Sequence, residues 1–129
     1  MKMDGLLIDT DVLVDYLAGV RQAADFLEYR KDDLFVSTLT VSEVLTGVRN
    51  EAELDAVETM IGAFTTLPID GAIARRAAVL KRELVATTIT FGACLIAATA
   101  IVHNLRLVTL QRRTYPLVRE LHVPYRRLV

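Results

Sequence analysis

An apolar run that ends abruptly in a carboxylate is the feature that most constrains this chain. Residues 6–8, Leu-Leu-Ile, precede Asp9, and apolar residues then recur at helical spacing as far as Leu17. This pattern predicts a short buried strand, followed by a helix with Thr10 or Asp11 as its N-cap. Ligands of open parallel sheets bind outside the carboxyl ends of the strands. Asp9 is therefore well placed to hold a cation.

Apolar runs of strand length alternate with helical patterns along the rest of the chain. This order predicts an α/β protein whose parallel sheet is covered by helices on both faces, in one domain spanning residues 1–129. Strands are expected at residues 34–37, 65–69 and 105–109, with an edge strand at Val123 and residues 128–129; helices are expected at about residues 23–30, 40–48, 51–64, 70–85 and 93–102.

Composition excludes several classes of site. The 129 residues carry a formal net charge of −1, so no overall positive field indicates a nucleic-acid partner. Cys94 is the only cysteine, which excludes a disulfide framework and a thiolate metal cluster. His103 and His122 are too far apart in sequence to form a local ligand pair. Basic residues nevertheless crowd the C-terminal part, where they form either a local basic patch or a solvated face.

One segment calls for comparison with a membrane span. Residues 84–105 contain no Asp, Glu, Lys or Arg, but their apolar core at residues 94–102 is shorter than the roughly 20 residues that a span requires. Residues 87–92 are predicted to be a loop, so the core is predicted to be a buried helix. The first residues lack the pattern of a secretory signal. We therefore expect a cytoplasmic protein without membrane association.

Asp9 and Glu43 are the candidate site residues, and each has two interpretations. Asp9 is either a helix cap alone or a ligand of Mg²⁺ or Mn²⁺, which prefer hard oxygen donors. Glu43 ends the sequence Thr-Val-Ser-Glu at residues 40–43, which matches a capping box with Thr40 as N-cap. It is either this structural residue or the second ligand, since the predicted strand at residues 34–37 brings the following helix to the same crevice.

Four segments together resemble the PIN domain, and more closely the VapC toxins of toxin–antitoxin pairs. They are Leu-Ile-Asp-Thr-Asp-Val-Leu at 7–13, Thr-Val-Ser-Glu-Val-Leu-Thr-Gly at 40–47, Leu-Ile-Ala-Ala-Thr-Ala at 95–100 and Leu-Val-Thr at 107–109. The resemblance covers nearly the whole chain. It implies a three-layer α/β/α sandwich and a Mg²⁺- or Mn²⁺-dependent endoribonuclease. Carried over by position, Asp9 and Glu43 match the first two family acids as catalytic and metal-binding residues.

The chain departs from the family pattern at three further places. The third family acid stands directly before a helix block of the type Leu-Leu-Ile-Ala-Ala. In this chain that place is Ala93, preceded by Phe-Gly instead of the customary Gly-Asp. After the Leu-Val-Thr strand, Gln111 and Thr114 replace the customary Asn and Asp, and Tyr115 follows where an aromatic residue is expected. A site reduced to two such groups should bind its cation more weakly.

Three explanations of these departures are open. The chain is a diverged PIN protein with weak or no nuclease activity, or Asp11 and Asp15 partly substitute for the missing acids, or Ala93 is an engineered knockout. The additional changes favour natural divergence. A catalytically inactive PIN-fold module that binds RNA or an antitoxin is the main alternative to a ribonuclease. Haloacid-dehalogenase-type phosphatases are a further alternative, because they also carry Asp-x-Asp after an apolar strand.

The expected partners follow from the same resemblance. Arg112 and Arg113 are candidate RNA-binding residues, which would contact phosphates without reading the base sequence. VapC-like proteins form dimers, and they bind an antitoxin whose C-terminal segment lies in a hydrophobic groove and directs a basic side chain toward the acids. We therefore expect RNA, an antitoxin and a second copy of this chain as partners.

Overall fold

The computed structural model describes residues 3–28, 30, 33–116 and 118–127. Within them the chain forms six α-helices and one sheet of five strands, which confirms the predicted α/β architecture. The elements are, in chain order, β1 (Leu6–Ile8), α1 (Thr10–Leu17), α2 (Arg21–Glu28), β2 (Leu34–Ser37), α3 (Thr38–Thr46), α4 (Glu51–Gly62), β3 (Thr65–Leu67), α5 (Gly71–Glu83), α6 (Phe91–Val102), β4 (Arg106–Val108) and β5 (Leu121–His122).

The strand order of the sheet creates a crevice beside β1. The order is β3-β2-β1-β4-β5, and every neighbouring pair is parallel. The chain builds outward from β1 through β2 to β3, then crosses to the other side of β1 to add β4 and β5. The direction therefore reverses between β1 and β4, where open α/β sheets bind ligands. Asp9 follows β1 at this point and Thr109 follows β4, and the backbone N–H of Asp9 donates to the carbonyl oxygen of Val108.

Alternate residues of the strands pack into two separate cores, one on each face of the sheet. Leu7 and Leu107 join the core formed with α5 and α6. Leu6, Ile8 and Val108 join the opposite core, to which α1, α2, α3 and α4 contribute. Side chains point to opposite faces every second residue along a strand, so both faces of these short strands are buried. This arrangement is the predicted three-layer sandwich.

The caps of two helices differ from the sequence predictions. Asp9, rather than Thr10 or Asp11, is the N-cap of α1, and its side chain accepts a hydrogen bond from the Thr10 N–H. Helix α3 begins at Thr38, because Ser37 at the end of β2 accepts from the Leu39 N–H and supplies the cap. Thr40 therefore lies within the helix. The predicted capping box at residues 40–43 is wrong, which removes the structural explanation of Glu43.

Other element boundaries also differ from the sequence predictions. Helix α6 begins at Phe91, within the predicted loop, because Thr90 caps it by accepting from the Ala93 N–H at 3.1 Å. Helix α2 ends at Glu28, two residues before the predicted end. The last edge strand is β5 at Leu121–His122 instead of Val123, and the other residues predicted for it, 128–129, lie outside the described residues. Among the helices described, none has the length and apolar character needed to cross a membrane.

Candidate active site

An open cleft of about 320 Å³ lies at the carboxyl ends of β1 and β4. It contains the two predicted acids and also the three positions at which the chain departs from the family pattern. Its walls come from the starts of α1 and α6, from α3, and from the segment after β4. The residues that line it are Asp9, Thr10, Asp11, Glu43, Thr90, Gly92, Ala93, Ile96, Gln111, Thr114 and Tyr115.

Asp9 lies at the inner end of this cleft, and its side-chain oxygens accept three hydrogen bonds from the part of the chain that the structure describes. Oδ1 accepts from the Thr10 N–H at 2.8 Å. Oδ2 accepts from the hydroxyl of Thr109 at 2.8 Å and from the hydroxyl of Tyr115 at 2.9 Å. Asp9 is buried, so these contacts replace the water that its charge would otherwise need. Asp9 is thus both a helix cap and a wall of the cleft.

Glu43 reaches the cleft from the exposed side of α3. Its Oε1 accepts a hydrogen bond of 2.8 Å from the hydroxyl of Thr10, which also lies 3.1 Å from the hydroxyl oxygen of Thr40. The two predicted acids therefore line one cleft although they are 34 positions apart (43 minus 9). Thr10, which follows Asp9 in the sequence, holds the side chain of Glu43 by this hydrogen bond.

The two acids that were expected to substitute for missing ligands have different surroundings. Asp11 lines the cleft, and its Oδ2 accepts from the Leu110 N–H at 3.0 Å. Burial, followed by the neighbouring charge of Asp9, raises the pKa of the Asp11 carboxyl above its ordinary value. Asp15 lines a different cleft, where Arg127 and Tyr125 bind its carboxylate. Asp11 can therefore contribute charge to the site, whereas Asp15 cannot.

The changed positions lie on the opposite wall from Glu43. Ala93 belongs to the first turn of α6. After β4, Gln111 precedes a 3₁₀ turn (Arg112–Thr114) and Thr114 ends it. The Thr114 hydroxyl donates to the Gln111 side chain at 3.0 Å, so these two polar groups bind each other. Arg112 and Arg113 are exposed on the same turn at the edge of the cleft. This wall supplies a methyl group, an amide and a hydroxyl, and no carboxylate.

The donor set decides which metal site these residues fit. Among the described residues, no group of three or more His, Cys, Asp or Glu side chains is arranged to hold a metal ion. The carboxylates of Asp9 and Glu43 are hard oxygen donors, and Mg²⁺ is often held by one or two carboxylates while water and phosphate supply its other ligands. This donor set therefore fits a largely hydrated divalent cation.

Three hydroxyl groups around the acids were missed by sequence reasoning. They belong to Thr10, Thr109 and Tyr115, which lie up to 106 positions from the carboxylate that they bind. The aromatic residue expected at position 115 was recognised, but the use of its hydroxyl depends on the tertiary contact with Asp9. Burial, and then the charge of Asp9, raises the pKa of Tyr115 far above its usual range. The phenol is therefore a hydrogen-bond donor at neutral pH.

Comparisons with known proteins agree with this geometry. The family model of the PIN domain matches residues 6–117. The chain is 37% identical over 124 residues to Ribonuclease VapC10 of Mycobacterium tuberculosis, a match that covers 93% of this chain and 92% of the relative. It is 36% identical over 124 residues to Ribonuclease VapC19 of the same organism, with 92% and 98% covered.

A solved structure agrees with the fold. A toxin–antitoxin complex from Klebsiella pneumoniae contains a chain that superposes with a TM-score of 0.83 at 26% identity, with 94% of this chain and 98% of that chain covered. The match to the PIN domain excludes the alternative of a haloacid-dehalogenase-type phosphatase. The sequence matches, the parallel sheet and the cleft at its reversal point lead to one assignment: the chain belongs to the PIN-domain family, among its VapC-like members.

Proposed function

We propose that the chain is a Mg²⁺- or Mn²⁺-dependent endoribonuclease and the toxin component of a toxin–antitoxin pair. The observation that carries this proposal is the cleft shared by Asp9 and Glu43, in a chain that is 37% identical to a VapC ribonuclease over 93% of its length. One domain spanning residues 1–129 carries the activity. Cellular RNA as the substrate favours a cytoplasmic location.

The proposed roles follow from the positions of the side chains. Asp9 and Glu43 are the catalytic and metal-binding residues, because they bring two carboxylates to one cleft. A divalent cation held by these two residues would activate a water and stabilise the charge that develops on the phosphoryl oxygens. Asp11 adds negative charge beside this position, and burial together with the charge of Asp9 holds the pKa of its carboxyl above the ordinary value. Thr10 fixes the Glu43 carboxylate.

We propose that Arg112 and Arg113 hold the RNA backbone beside the cleft. Both are exposed on the 3₁₀ turn between two residues of the cleft wall, Gln111 and Thr114. Guanidinium groups bind phosphate without distinguishing bases, so these contacts would position the strand and add salt dependence to binding. Substituting either arginine should therefore weaken RNA binding uniformly across sequences.

The activity is proposed to be weaker than that of a PIN nuclease with a full set of acids. Ala93, Gln111 and Thr114 place no carboxylate on the wall that faces Glu43. The same observation supports a second candidate function, a catalytically inactive PIN-fold module that retains binding to RNA or to an antitoxin. In that case the two remaining acids serve recognition instead of hydrolysis.

Cleavage of structured RNA with Mn²⁺ separates these functions. The unsubstituted chain is compared with Asp9→Ala and Ala93→Asp, and EDTA reports on cleavage by contaminants. Activity that is present and lost in Asp9→Ala supports a working site with two carboxylates. Activity that appears with Ala93→Asp alone supports a disabled nuclease. No Mn²⁺-dependent cleavage by any of the three chains contradicts the nuclease proposal and favours the binding module.

An antitoxin is the proposed protein partner, as in the toxin–antitoxin complex that shares this fold. An apolar groove of about 410 Å³ runs between α1, α3 and α4, and Glu43 lines both this groove and the site cleft. Val14 at its edge is 48% exposed. A segment in this groove could bring a basic side chain to Glu43. Val14→Asp should abolish co-purification with the cognate antitoxin and leave RNA cleavage unchanged.

A homodimer is proposed from the resemblance to VapC proteins. Sedimentation equilibrium of the purified chain tests it, because a dimer has twice the mass of 14.3 kDa that the composition gives for one chain. A single species at the monomer mass over a wide concentration range would contradict it.

A further inference from the structure

The inner oxygen of Asp9 is enclosed by two hydroxyl donors. Oδ2 receives the Thr109 hydroxyl at 2.8 Å and the Tyr115 hydroxyl at 2.9 Å. Thr109 is 0% exposed and Tyr115 is 5% exposed, so the two donors sit where water is excluded. A carboxylate oxygen has about two lone-pair positions, and both positions on Oδ2 are used. Oδ2 is therefore less available to a cation than the other oxygen of the carboxylate.

The outer oxygen of the same carboxylate is only half used. Among the described residues, the Thr10 N–H at 2.8 Å is the one donor to Oδ1, which leaves one lone-pair position. The hydroxyl donors thus divide the carboxylate into an oxygen that is held and an oxygen that is available. Free rotation about the Cβ–Cγ bond would exchange the two, so the available oxygen stays in place only while Oδ2 is held.

The two hydroxyl donors are not equivalent. The single hydroxyl hydrogen of Thr109 is shared, because Thr109 Oγ1 also lies 3.3 Å from Oδ2 of Asp11. Tyr115 has Asp9 as its acceptor, and its ring is packed in the core formed with α5 and α6. The ring therefore holds the hydroxyl on a rigid support, in a segment that follows the 3₁₀ turn and is remote in sequence from Asp9.

We propose that Tyr115 is a positioning residue of the metal site, which holds Asp9 through Oδ2 so that Oδ1 alone is presented to a cation. This inference rests on the proposed metal-dependent function. Its importance is increased by Ala93, because position 93 supplies no carboxylate that could hold the cation if Asp9 rotated. Partners that orient a ligand commonly account for 10- to 100-fold in metal affinity.

The test measures Mn²⁺ affinity directly, by electron paramagnetic resonance of free Mn²⁺ titrated against the full chain. Tyr115→Phe removes the hydroxyl and keeps the ring, and it should weaken Mn²⁺ binding by about 10-fold or more. Tyr125→Phe is the matched control, since it removes a tyrosine hydroxyl that donates to Asp15 at 2.8 Å outside the cleft. The control should bind Mn²⁺ as the unsubstituted chain does. Circular dichroism establishes that both variants are folded.

The outcomes separate the inference from the function on which it rests. If Tyr115→Phe binds Mn²⁺ with an affinity within about twofold of that of the unsubstituted chain, the role of Tyr115 is overturned and the metal site remains, because the expected loss is about 10-fold or more. Equal losses in Tyr115→Phe and Tyr125→Phe also overturn it. No detectable Mn²⁺ binding by either the unsubstituted chain or Ala93→Asp overturns the proposed metal site, and the inference with it.

A second measurement tests the proposal if Tyr115→Phe does not fold. The chain has four tyrosines and no tryptophan, so labelled tyrosine rings give few nuclear magnetic resonance signals to assign. Bound Mn²⁺ should broaden the ring signal of Tyr115 strongly and that of Tyr125 weakly, because Tyr115 alone of the two contacts Asp9. Equal broadening of both rings, or selective broadening of Tyr125, would overturn the proposal.

Discussion

The hydroxyl of Thr10 donates a hydrogen bond of 2.8 Å to Oε1 of Glu43, and this contact joins the first turn of α1 to α3. Thr10 is covalently next to Asp9, so the position of one candidate acid determines where the other is held. The alternative explanation of Glu43, a reciprocal cap at the start of α3, is wrong because Ser37 supplies that cap. The side chain of Glu43 is therefore directed by the cleft and not by its own helix.

Substituting Thr10 with valine should uncouple the two acids. Thr10→Val keeps a branched side chain and removes the donor, so Glu43 is free to leave the cleft. We expect kcat/KM for Mn²⁺-dependent RNA cleavage to fall by about 10-fold. The free energy of unfolding should fall by about 1–3 kcal/mol, because the buried hydroxyl of Thr40 loses its contact with Thr10 as well. Thr10→Ser retains the donor and should retain activity; equal activity of the serine and valine variants would contradict the coupling.

The positions of strands and helices could be predicted where the sequence has a clear apolar pattern. The run at residues 6–8 and the run at 34–37 became β1 and β2 at the predicted positions, and Asp70 caps α5 as its sequence context indicated. The parallel order followed from the alternation of strands and helices. Continuous apolar runs carry this information, because a strand that is buried on both faces needs an apolar residue at nearly every position.

Helix ends and the surroundings of the site could not be predicted in the same way. Ser37 and Thr40 are both good N-caps by residue type, and the choice between them depends on where β2 ends. The contacts of Asp9 with Thr109 and Tyr115 join residues 100 and 106 positions apart, so no local pattern records them. The resemblance to PIN proteins located the acids, whereas their hydroxyl partners emerged only from tertiary structure.

Asp15 gives the C-terminal segment a charge-dependent attachment to α1. Its carboxylate accepts hydrogen bonds from Tyr125 at 2.8 Å and from Arg127 at 3.0 and 2.9 Å, and Asp15 is 8% exposed. Burial alone would raise the pKa of Asp15, but the hydrogen bonds from Arg127 and Tyr125 outweigh it and hold the pKa below its ordinary value of 3.8. Ionised Asp15 is therefore stabilised more in the folded chain than in the unfolded chain.

Asp15→Asn should destabilise the protein in a pH-dependent manner. At neutral pH we expect a loss of about 1–2 kcal/mol, a figure reduced because the Arg127 side chain is 52% exposed. Because the pKa of Asp15 is lower in the folded chain than in the unfolded chain, its contribution to stability is complete at pH values above the unfolded pKa. The contribution is lost as the pH falls through the folded pKa. Urea unfolding of both chains at neutral pH, and again below pH 3.8, measures the difference. A difference in the free energy of unfolding that stays the same in acid would contradict the ionic attachment.

Gly5 lies where β1 enters the sheet, and the space beside it excludes a side chain. A Cβ atom there would lie 2.7 Å from the carbonyl oxygen of Asp33 and 2.8 Å from the Phe35 ring. Gly5→Ala should lower the free energy of unfolding by about 1–3 kcal/mol, because backbone must move to admit the methyl group. Gly62→Ala, with nothing within 4 Å of its Cβ, is the control and should be neutral or stabilising. Similar losses in both variants would contradict the steric explanation.

Thr90 determines where α6 begins and thereby where position 93 faces the cleft. Its hydroxyl oxygen accepts a hydrogen bond of 3.1 Å from the Ala93 N–H, and the side chain lines the cleft. Thr90→Ala leaves that N–H without its partner and should lower the free energy of unfolding by about 1 kcal/mol, whereas Thr90→Ser keeps the acceptor and should lose much less. Chemical denaturation of the three chains measures the difference. Equal stability of the alanine and serine variants would mean that water caps α6 equally well, and the start of the helix would then depend on its packing against α5.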